Sequence, residues 1–362
     1  MKIKTNHIII LFLLLGQIIF AENNPPAQRE AMFSTKLKDN RVICELCPKN
    51  CVIASGKRGF CRNRENQNGT LVSVVYNKPC SYGREPIEKA PFYHFLPGAT
   101  RITLATAGCN QSCKYCQNWQ ISQASVEDLQ NIYLTPEQVI QDAQQEKIPI
   151  ICFTYSEPIV FYEYMYDIAV LAKKAGIKTA VVSGGFINPE PLQELCKVVD
   201  AIKIDLKGFD PSFYQDVCGS ELEPVLQACK IIKNSGVHLE IVNLVVPTLN
   251  DDTSKIKAMC LWIKENLGDE IPVHFSRFFP QYKLQNLPPT PITRLEQAVT
   301  IAQKTGIKYV YIGNVPGHEY DNTYCPNCKK LLLKRQGYSI IENNMQDGKC
   351  KFCKTEIYGV FE

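Results

Sequence analysis

The chain has 362 residues, of which 45% are hydrophobic and 21% are charged. These proportions are typical of a globular protein and exclude an intrinsically disordered chain. The net charge of +4 is too small to indicate a nucleic-acid partner. Cysteine is the unusual residue, because groups of four, three and four cysteines account for 11 of the 17 in the chain.

The first 21 residues have the pattern of a secretory signal peptide or a short membrane anchor. Lys2 and Lys4 precede an apolar run from Ile8 to Phe20, and Ala21 offers a small residue for cleavage. As a helix the run would span about 20 Å, less than the ~30 Å core of a bilayer, so a signal peptide fits better. Residues 22–40 are polar, contain proline and are predicted to form a linker.

A cysteine-rich module is predicted over residues 41–95. Its four cysteines are Cys44, Cys47, Cys51 and Cys61. Four thiolates suit a zinc ion. They also suit an auxiliary iron–sulfur cluster, whose negative charge nearby arginines such as Arg58 and Arg64 would stabilise. Disulfide bonds are the third interpretation, since an exported protein meets an oxidising compartment.

Residues 96–315 alternate short β-rich runs with amphipathic helical runs. Seven strands are predicted, at residues 102–106, 150–155, 177–183, 201–206, 237–246, 273–278 and 308–312. The first helix begins at Thr135 and Pro136, which suit the cap and the first helical position. Such alternation is typical of βαβ units and a parallel sheet. We therefore expect an α/β fold built as a partial (β/α) barrel, with a doubly wound open sheet as the alternative.

The loop after the first of these strands carries Cys109, Cys113 and Cys116. Thiolates are the usual ligands of iron–sulfur clusters, and a cubane cluster has four irons, so three protein ligands leave one iron free for a substrate. Catalytic metal sites keep an open coordination position in the same way. A zinc site without its fourth ligand and a set of buried thiols are the alternatives.

Polar residues gather at the carboxyl ends of the predicted strands. Those that follow the second to fourth strands are Ser156, Glu157, Ser183, Gly184, Asp205 and Lys207. Random placement would put half of such residues at the opposite edge. Their position favours an enzyme, because ligands of parallel α/β sheets bind at the carboxyl edge.

A second cysteine-rich module is predicted over residues 316–362. Its four cysteines form two C-x2-C pairs, Cys325 with Cys328 and Cys350 with Cys353. This spacing is typical of a zinc ribbon, and in so short a segment the Zn²⁺ ion would supply much of the folding free energy. Two disulfides or a second cluster are the alternatives. The remaining cysteines are expected to be small buried apolar residues, namely Cys80, Cys152, Cys196, Cys218, Cys229 and Cys260.

The sequence resembles the radical SAM enzymes, whose signature is this C-x3-C-x2-C loop with an aromatic residue, here Tyr115, before the last cysteine. From about residue 41 to the C-terminus it is similar to a narrower group, the radical SAM component of the AmmeMemoRadiSam system, within the pyruvate formate-lyase activating-enzyme-like set. The matching stretches include CELCP from Cys44, PIEKAPFYHFLPG from Pro86, TYSEP from Thr154 and YCPNC from Tyr324.

This resemblance implies cofactors and partners. In the family, a [4Fe–4S] cluster binds S-adenosylmethionine and cleaves it reductively, which releases a 5′-deoxyadenosyl radical that takes hydrogen from a substrate. An electron donor such as flavodoxin or ferredoxin, and partner proteins of the AmmeMemoRadiSam system, are implied as well. The cluster needs a reducing compartment such as the cytoplasm, whereas the signal-like segment indicates export, so the localisation stays open.

The resemblance assigns four residues to the methionine part of S-adenosylmethionine. Ser156 and Glu157 match the motif that binds the amino group, and a carboxylate is the natural partner of an ammonium group. A helix N-cap is the alternative role of Glu157. Asp205 and Lys207 match a pair near the methionine moiety, with an ordinary ion pair as the alternative.

Five further residues are cofactor-binding candidates by the same resemblance. Ser183 and Gly184 would lie against the ribose, where glycine permits close backbone approach. Tyr115 belongs to the signature loop. His274 and Arg277 match polar residues of the sixth strand, although a lone histidine on an apolar strand is as often part of the core.

The predicted function is a radical SAM enzyme that modifies an unidentified substrate of macromolecular size. Two other functions are consistent with the sequence. One is an activating enzyme that installs a glycyl radical in a partner enzyme, and the other is a non-enzymatic binding protein built on zinc ribbons. An exported domain held by disulfides is a structural alternative.

Overall fold

The computed structural model describes residues 28–362, so the predicted signal-like segment 1–21 lies outside the described residues. Three sections follow one another along the described chain: small N-terminal sheets, one eight-stranded sheet with helices, and small C-terminal sheets. No helix within residues 28–362 is long and apolar enough to cross a membrane.

Six short strands make up the N-terminal section. They are β1 (Arg29–Glu30), β2 (Ser34–Lys36), β3 (Val42–Cys44), β4 (Val52–Ile53), β5 (Arg64–Gln67) and β6 (Thr70–Ser73). They form two antiparallel sheets with the orders β1–β6–β5 and β2–β3–β4.

The segment predicted as a linker up to residue 40 is therefore part of this section from β1 onward. Its tertiary contacts explain the difference. The backbone N–H of Met32 donates to Glu163 Oε1 at 2.8 Å, and the ring of Phe33 meets Tyr162 edge-on with the ring centroids 5.3 Å apart. Both partners lie more than 120 residues away in sequence, where local composition cannot indicate them.

The central sheet contains eight strands. They are β7 (Ser81–Pro86), β8 (Thr100–Ala105), β9 (Ile150–Phe153), β10 (Lys178–Ser183), β11 (Ala201–Asp205), β12 (His238–Val245), β13 (Val273–Arg277) and β14 (Val310–Gly313). All seven predicted strands are confirmed as β8 to β14 and pair in parallel, and β7 pairs antiparallel with β8. Strand β7 belongs to this sheet although its residues were expected within the N-terminal module.

The order of the strands decides between the two predicted architectures. Neighbours in the sheet run from β7 to β14 in chain order, without the reversal that a doubly wound sheet requires. Strands β7 and β14 form the two edges and are not paired with each other. The prediction of a partial barrel is confirmed.

Eight α-helices lie among these strands. They are α1 (Trp119–Ser122), α2 (Pro136–Gln145), α3 (Tyr162–Lys174), α4 (Pro189–Cys196), α5 (Pro211–Phe213), α6 (Leu222–Ser235), α7 (Thr253–Asn266) and α8 (Ile292–Thr305). As predicted, Thr135 caps α2 by accepting a hydrogen bond from Gln138 N. Helices α6 and α8 end at Gly236 and Gly306, whose φ angles of +80° and +98° suit glycine.

A buried polar cluster closes the amino-terminal end of the barrel. Glu240 on β12 accepts hydrogen bonds from the backbone N–H groups of Tyr93 and His94, and its two oxygens lie 3.1 and 2.7 Å from His238 Nε2 and His274 Nε2. Burial opposes the negative charge, but the two histidines hold the pKa of Glu240 far below its usual range. Because this end is filled, the barrel interior opens at the carboxyl ends of the strands.

The C-terminal section contains five strands. They are β15 (Thr323–Tyr324), β16 (Leu331–Gln336), β17 (Ser339–Asn343), β18 (Met345–Gln346) and β19 (Lys349–Cys350). Buried Arg335 fixes the section to the barrel: its Nη2 donates to Tyr93 O at 3.0 Å, and its guanidinium lies 3.9 Å from the centroid of the Tyr93 ring. The turn of the β16–β17 hairpin brings Tyr338 to the open mouth of the barrel.

Candidate active site

Three cysteines reach one cleft at the carboxyl ends of the parallel strands. Cys109, Cys113 and Cys116 all line this cleft from the loop that follows β8. Gly108 begins the loop with a φ of +90°, and an added Cβ would lie 2.4 Å from the carbonyl oxygen of Cys61. The loop can therefore turn closely against the N-terminal section only with glycine at this position.

The segment from Phe213 to Cys218 packs against the cysteine loop and supports it. The backbone N–H of Ser112 donates to Cys218 O at 2.9 Å. The ring of Tyr115 is buried and stacks on Phe213 at a centroid distance of 6.2 Å, and its hydroxyl lies 3.5 Å from Cys218 Sγ. Tyr115 lines the cleft, as expected of a cofactor-binding candidate, and it also supports the cysteine loop.

A fourth thiol, that of Cys218, lies beside the loop. Its sequence position predicted only an isolated, buried cysteine. Its contact with Cys113, together with burial, raises the pKa of Cys113 well above the usual range. Burial likewise raises the pKa of Cys109 and Cys116. Because metals bind thiolates, a metal centre at this loop would release the protons that these thiols hold. No sequence spacing connects Cys218 to the loop, so only the tertiary contact reveals it.

Ser156 and Glu157 follow β9 and both line the cleft. The Glu157 carboxylate accepts hydrogen bonds from Ser183 Oγ at 2.7 Å, Gly184 N at 2.9 Å and Ile159 N at 3.2 Å. Burial raises the pKa of this carboxyl, and the three hydrogen bonds oppose the rise. The bond from Ile159 makes Glu157 a helix N-cap as well, so the two predicted roles coexist. Ser156 Oγ is buried and has no hydrogen-bond partner within residues 28–362.

Gly184 brings main chain to the wall of the cleft, and the Gln111 side chain packs directly against it. A Cβ added there would lie 2.2 Å from Gln111 Oε1. Gln111 cannot easily retreat, because its Nε2 donates to Ser220 Oγ at 2.7 Å in a buried position. Ser183 lies behind the wall rather than on it, since its hydroxyl is used by Glu157 and by Gly185 N. Main chain without a side chain at this point of the wall permits close backbone approach by a ligand.

Strand β11 brings a row of charged side chains to the same cleft. Asp205 Oδ1 accepts a hydrogen bond from Lys203 Nζ at 2.6 Å, and its Oδ2 lies 3.7 Å from Lys207 Nζ. Burial opposes ionisation of Asp205, but the two lysines hold its pKa below the usual range. The row carries one net positive charge. Lys203 was not predicted, although its alternation with Asp205 and Lys207, two residues apart, is a signal that could have found it.

Two predicted residues on β13 do not line the cleft. His274 lies on the same face of β13 as Ser276, which lines the cleft, but one layer deeper, where it contacts Glu240. Arg277 has the opposite parity on the strand, and its Nε donates to Thr290 O at 2.9 Å. His274 and Arg277 are thus not among the residues that line the cleft, where the cofactor-binding residues were expected.

The two outer cysteine groups form separate clusters. The four C-terminal thiols all lie within 4.8 Å of one another, with Sγ–Sγ distances of 3.5 Å between Cys325 and Cys353 and 3.7 Å between Cys328 and Cys350. The four N-terminal thiols line a second cavity on the other side of the active-site loop. All cysteines among residues 28–362 are free of disulfide bonds.

Comparison of the sequence with known proteins matches one superfamily and several individual relatives. The sequence model of the radical SAM superfamily matches residues 103–259. An uncharacterized protein of Methanocaldococcus jannaschii is 47% identical over 331 residues, which cover 91% of this chain and 98% of that protein. The pyruvate formate-lyase-activating enzyme of Clostridium pasteurianum is 26% identical over 206 residues, covering 52% of this chain and 83% of that enzyme.

Solved structures give weaker matches. A domain of the pyruvate-formate lyase-activating enzyme from Bacteroides vulgatus is 20% identical, with a TM-score of 0.40, and the match covers 45% of this chain and 98% of that domain.

Proposed function

We propose that this chain, which belongs to the radical SAM superfamily, is an enzyme. Its [4Fe–4S] cluster is held by Cys109, Cys113 and Cys116. One observation carries the proposal: the three thiols of a single loop line the cleft into which the polar ends of three neighbouring strands also open. With S-adenosylmethionine bound, such a cluster supplies reductive cleavage of the sulfonium and so a radical that can take hydrogen from a substrate.

The residues of the cleft fit an amino-acid group with both charges. The Glu157 carboxyl group lines the cleft and offers a partner for an ammonium group, and the Ser156 hydroxyl, which has no hydrogen-bond partner among the described residues, offers a further hydrogen bond. The net positive charge of Lys203, Asp205 and Lys207 suits a carboxylate. These two poles face one cleft, which supports binding of the methionine part of S-adenosylmethionine there.

The backbone of residues 183–184 supports the placing of the nucleoside. Glu157 fixes this segment through Ser183 Oγ and Gly184 N. Gly184 brings main chain rather than a side chain to the wall of the cleft, which supports close approach of a ribose. Glu240 and its partners fill the opposite end of the barrel, so solvent does not reach the cleft through that end.

The Cys113→Ala variant tests this proposal. Reductive cleavage of S-adenosylmethionine under dithionite, measured as methionine released in anaerobic assays, should vanish in this variant while its circular dichroism stays unchanged. Cys196→Ala is the matched control, because Cys196 lies on α4 away from the cleft and should keep full turnover. Unchanged turnover in Cys113→Ala would refute the assignment of the loop.

We also propose that the four C-terminal cysteines bind one zinc ion. Four thiolates about 2.3 Å from a tetrahedral zinc ion stand roughly 3.8 Å from one another. The distances of 3.5 and 3.7 Å in this set fit that geometry. We expect about one zinc per chain by metal analysis, its loss in Cys328→Ser, and a fall in melting temperature on chelation. Retention of zinc in Cys328→Ser would contradict the assignment.

The substrate class has two candidates. Tyr338 of the C-terminal section lines the cleft and has an exposed ring, which supports a macromolecular substrate, in line with the resemblance to the AmmeMemoRadiSam enzymes. The similarity to the Clostridium pasteurianum enzyme supports the alternative of a glycyl-radical activating enzyme. Anaerobic pull-down followed by electron paramagnetic resonance separates them, since a doublet from a glycyl radical in the captured partner would establish the second. Flavodoxin or ferredoxin is the proposed electron donor in both cases.

A further inference from the structure

The N-terminal cysteines converge although they come from four different places in the section. Cys44 ends β3, and its backbone N–H donates to Cys51 O at 2.9 Å, which joins two of the four positions directly. Cys47 lies in the turn between them, and Cys61 lies in the loop before β5. All four line one cavity and none is in a disulfide.

These thiols are grouped less compactly than those of the C-terminal set. The C-terminal set, with all four sulfurs within 4.8 Å of one another, shows what a one-ion site looks like in this protein. Within residues 28–362 the N-terminal sulfurs do not form a group as compact as this, nor do those of the active-site loop. Thiolates bound to separate irons of a cubane stand further apart than thiolates sharing one ion. Four thiols that share a cavity without the compactness of the C-terminal set therefore favour a cluster over zinc.

The wall of the cavity is suited to an anionic metal centre. Its apolar part includes Leu46, Ile53 and Val160. Two cations also line it: Lys49, and the fully buried Arg64, whose Nη1 lies 3.6 Å from Cys44 Sγ. Four thiolates around a cluster leave net negative charge, which buried cations stabilise far more in an apolar surrounding than in water.

The cavity adjoins the active-site loop. Asn110 lines the N-terminal cavity, while its neighbour Cys109 lines the active-site cleft. The Asn110 side chain is fixed by a hydrogen bond from its Nδ2 to Phe186 O at 2.7 Å, and its Oδ1 has no partner among the described residues. Asn63, two residues after Cys61, donates through its side chain to Ala107 O, just before the same loop. One stretch of backbone thus separates the two cysteine sets.

We infer that Cys44, Cys47, Cys51 and Cys61 bind a second iron–sulfur cluster of the cubane type, with every iron ligated by the protein. Such a cluster has no vacant iron, so it does not bind S-adenosylmethionine. This inference goes beyond the proposed function. The second cluster does not depend on the active-site cluster, because its four ligands and its cavity are distinct from those of the cleft.

The test starts from a variant with Cys109, Cys113 and Cys116 all changed to alanine, which removes the active-site ligands and leaves the N-terminal set intact. After anaerobic reconstitution with iron and sulfide, we expect about four irons per chain in this variant and about eight in the parent. The electron paramagnetic resonance signal of the reduced variant should not change when S-adenosylmethionine is added. Cys196→Ala, an isolated cysteine, should keep the parent's iron content.

The outcomes distinguish this inference from the proposed function. Zinc at about two ions per chain with no iron in the triple variant would overturn the inference and leave the active-site proposal standing. About four irons in both the parent and the triple variant would overturn the active-site assignment and support the second cluster. A signal that shifts with S-adenosylmethionine in the triple variant would refute complete protein ligation. Adding Cys51→Ser should remove or convert the remaining cluster, and unaltered iron in that variant would refute Cys51 as a ligand.

Discussion

Replacing Glu163 by glutamine isolates the charge that holds the N-terminal section to the barrel. The Glu163 carboxylate on α3 pairs with the Arg64 guanidinium of β5, and both side chains are at most 1% exposed. Glutamine keeps the size of the side chain and an oxygen that can still accept the hydrogen bond from Met32 N. It removes only the negative charge and so leaves a buried cation without its partner.

The structure sets the size of the expected loss. Breaking a buried ion pair by removing one partner costs about 3–5 kcal/mol, because the remaining charge stays desolvated. The pair between Arg58 and Glu127 is the matched control, since Glu127 is 58% exposed and exposed pairs contribute about 0.2–1 kcal/mol. A thiolate-bound metal at Cys44, 3.6 Å from Arg64, would offset part of the loss, so both variants are compared at matched metal content.

Urea denaturation under anaerobic conditions provides the measurement. We expect the free energy of unfolding to fall by about 3–5 kcal/mol in Glu163→Gln and by at most about 1 kcal/mol in Glu127→Gln. A protein with a total stability of about 5–15 kcal/mol survives the larger loss in most cases, so the transition stays measurable. Equal losses in the two variants would refute the view that Arg64 depends on Glu163.

Two further predictions concern the cleft and the C-terminal junction. Gly184→Ala should weaken S-adenosylmethionine binding at least about tenfold by isothermal titration, because the new methyl group displaces Gln111, which lines the cleft. Gly83→Ala, with its nearest contact at 3.6 Å, should bind as the parent does, and equal affinities in the two variants would refute a role for the Gly184–Gln111 contact. Burial raises the pKa of Asp321 from 3.8 to about 6, so the native state binds the proton more tightly and stability falls as pH rises through that interval. Asp321→Asn should flatten that slope in urea denaturation between pH 4 and pH 7, and an unchanged slope would exclude Asp321 as its source.

Much of the fold follows from local sequence signals. The seven parallel strands and the helices between them carry their own periodicity, and Thr135, Gly236 and Gly306 mark helix ends by chemistry that acts within a few residues. Strands β1 and β2 escaped prediction because short, exposed edge strands have almost no pattern of their own. They are ordered by contacts with distant residues such as Glu163.

Some residues of the candidate site could likewise be predicted from local sequence signals, and others could not. Residues that directly follow strands, such as Glu157 and Lys207, could be placed at the cleft because parallel strands end at one edge. The depth of a residue along a strand could not be predicted from the sequence. The sequence therefore did not show that His274 lies one layer below the cleft, where it contacts Glu240. Lys203 could have been predicted from its alternation with Asp205 along the strand. Cys218 could not have been predicted, because only a tertiary contact brings it to the cysteine loop.

The amino-acid sequence by itself determined the parallel α/β architecture, the three cysteine groups and the edge of the sheet at which ligands bind, because each of these depends on spacing along the chain. Only the tertiary structure decided how far apart the sulfurs of each group stand. Sequence spacing limits the reach of the backbone, whereas the separation of side chains depends on how distant segments pack. The compact grouping of the C-terminal sulfurs, and the less compact grouping of the N-terminal sulfurs around their cavity, follow from packing alone.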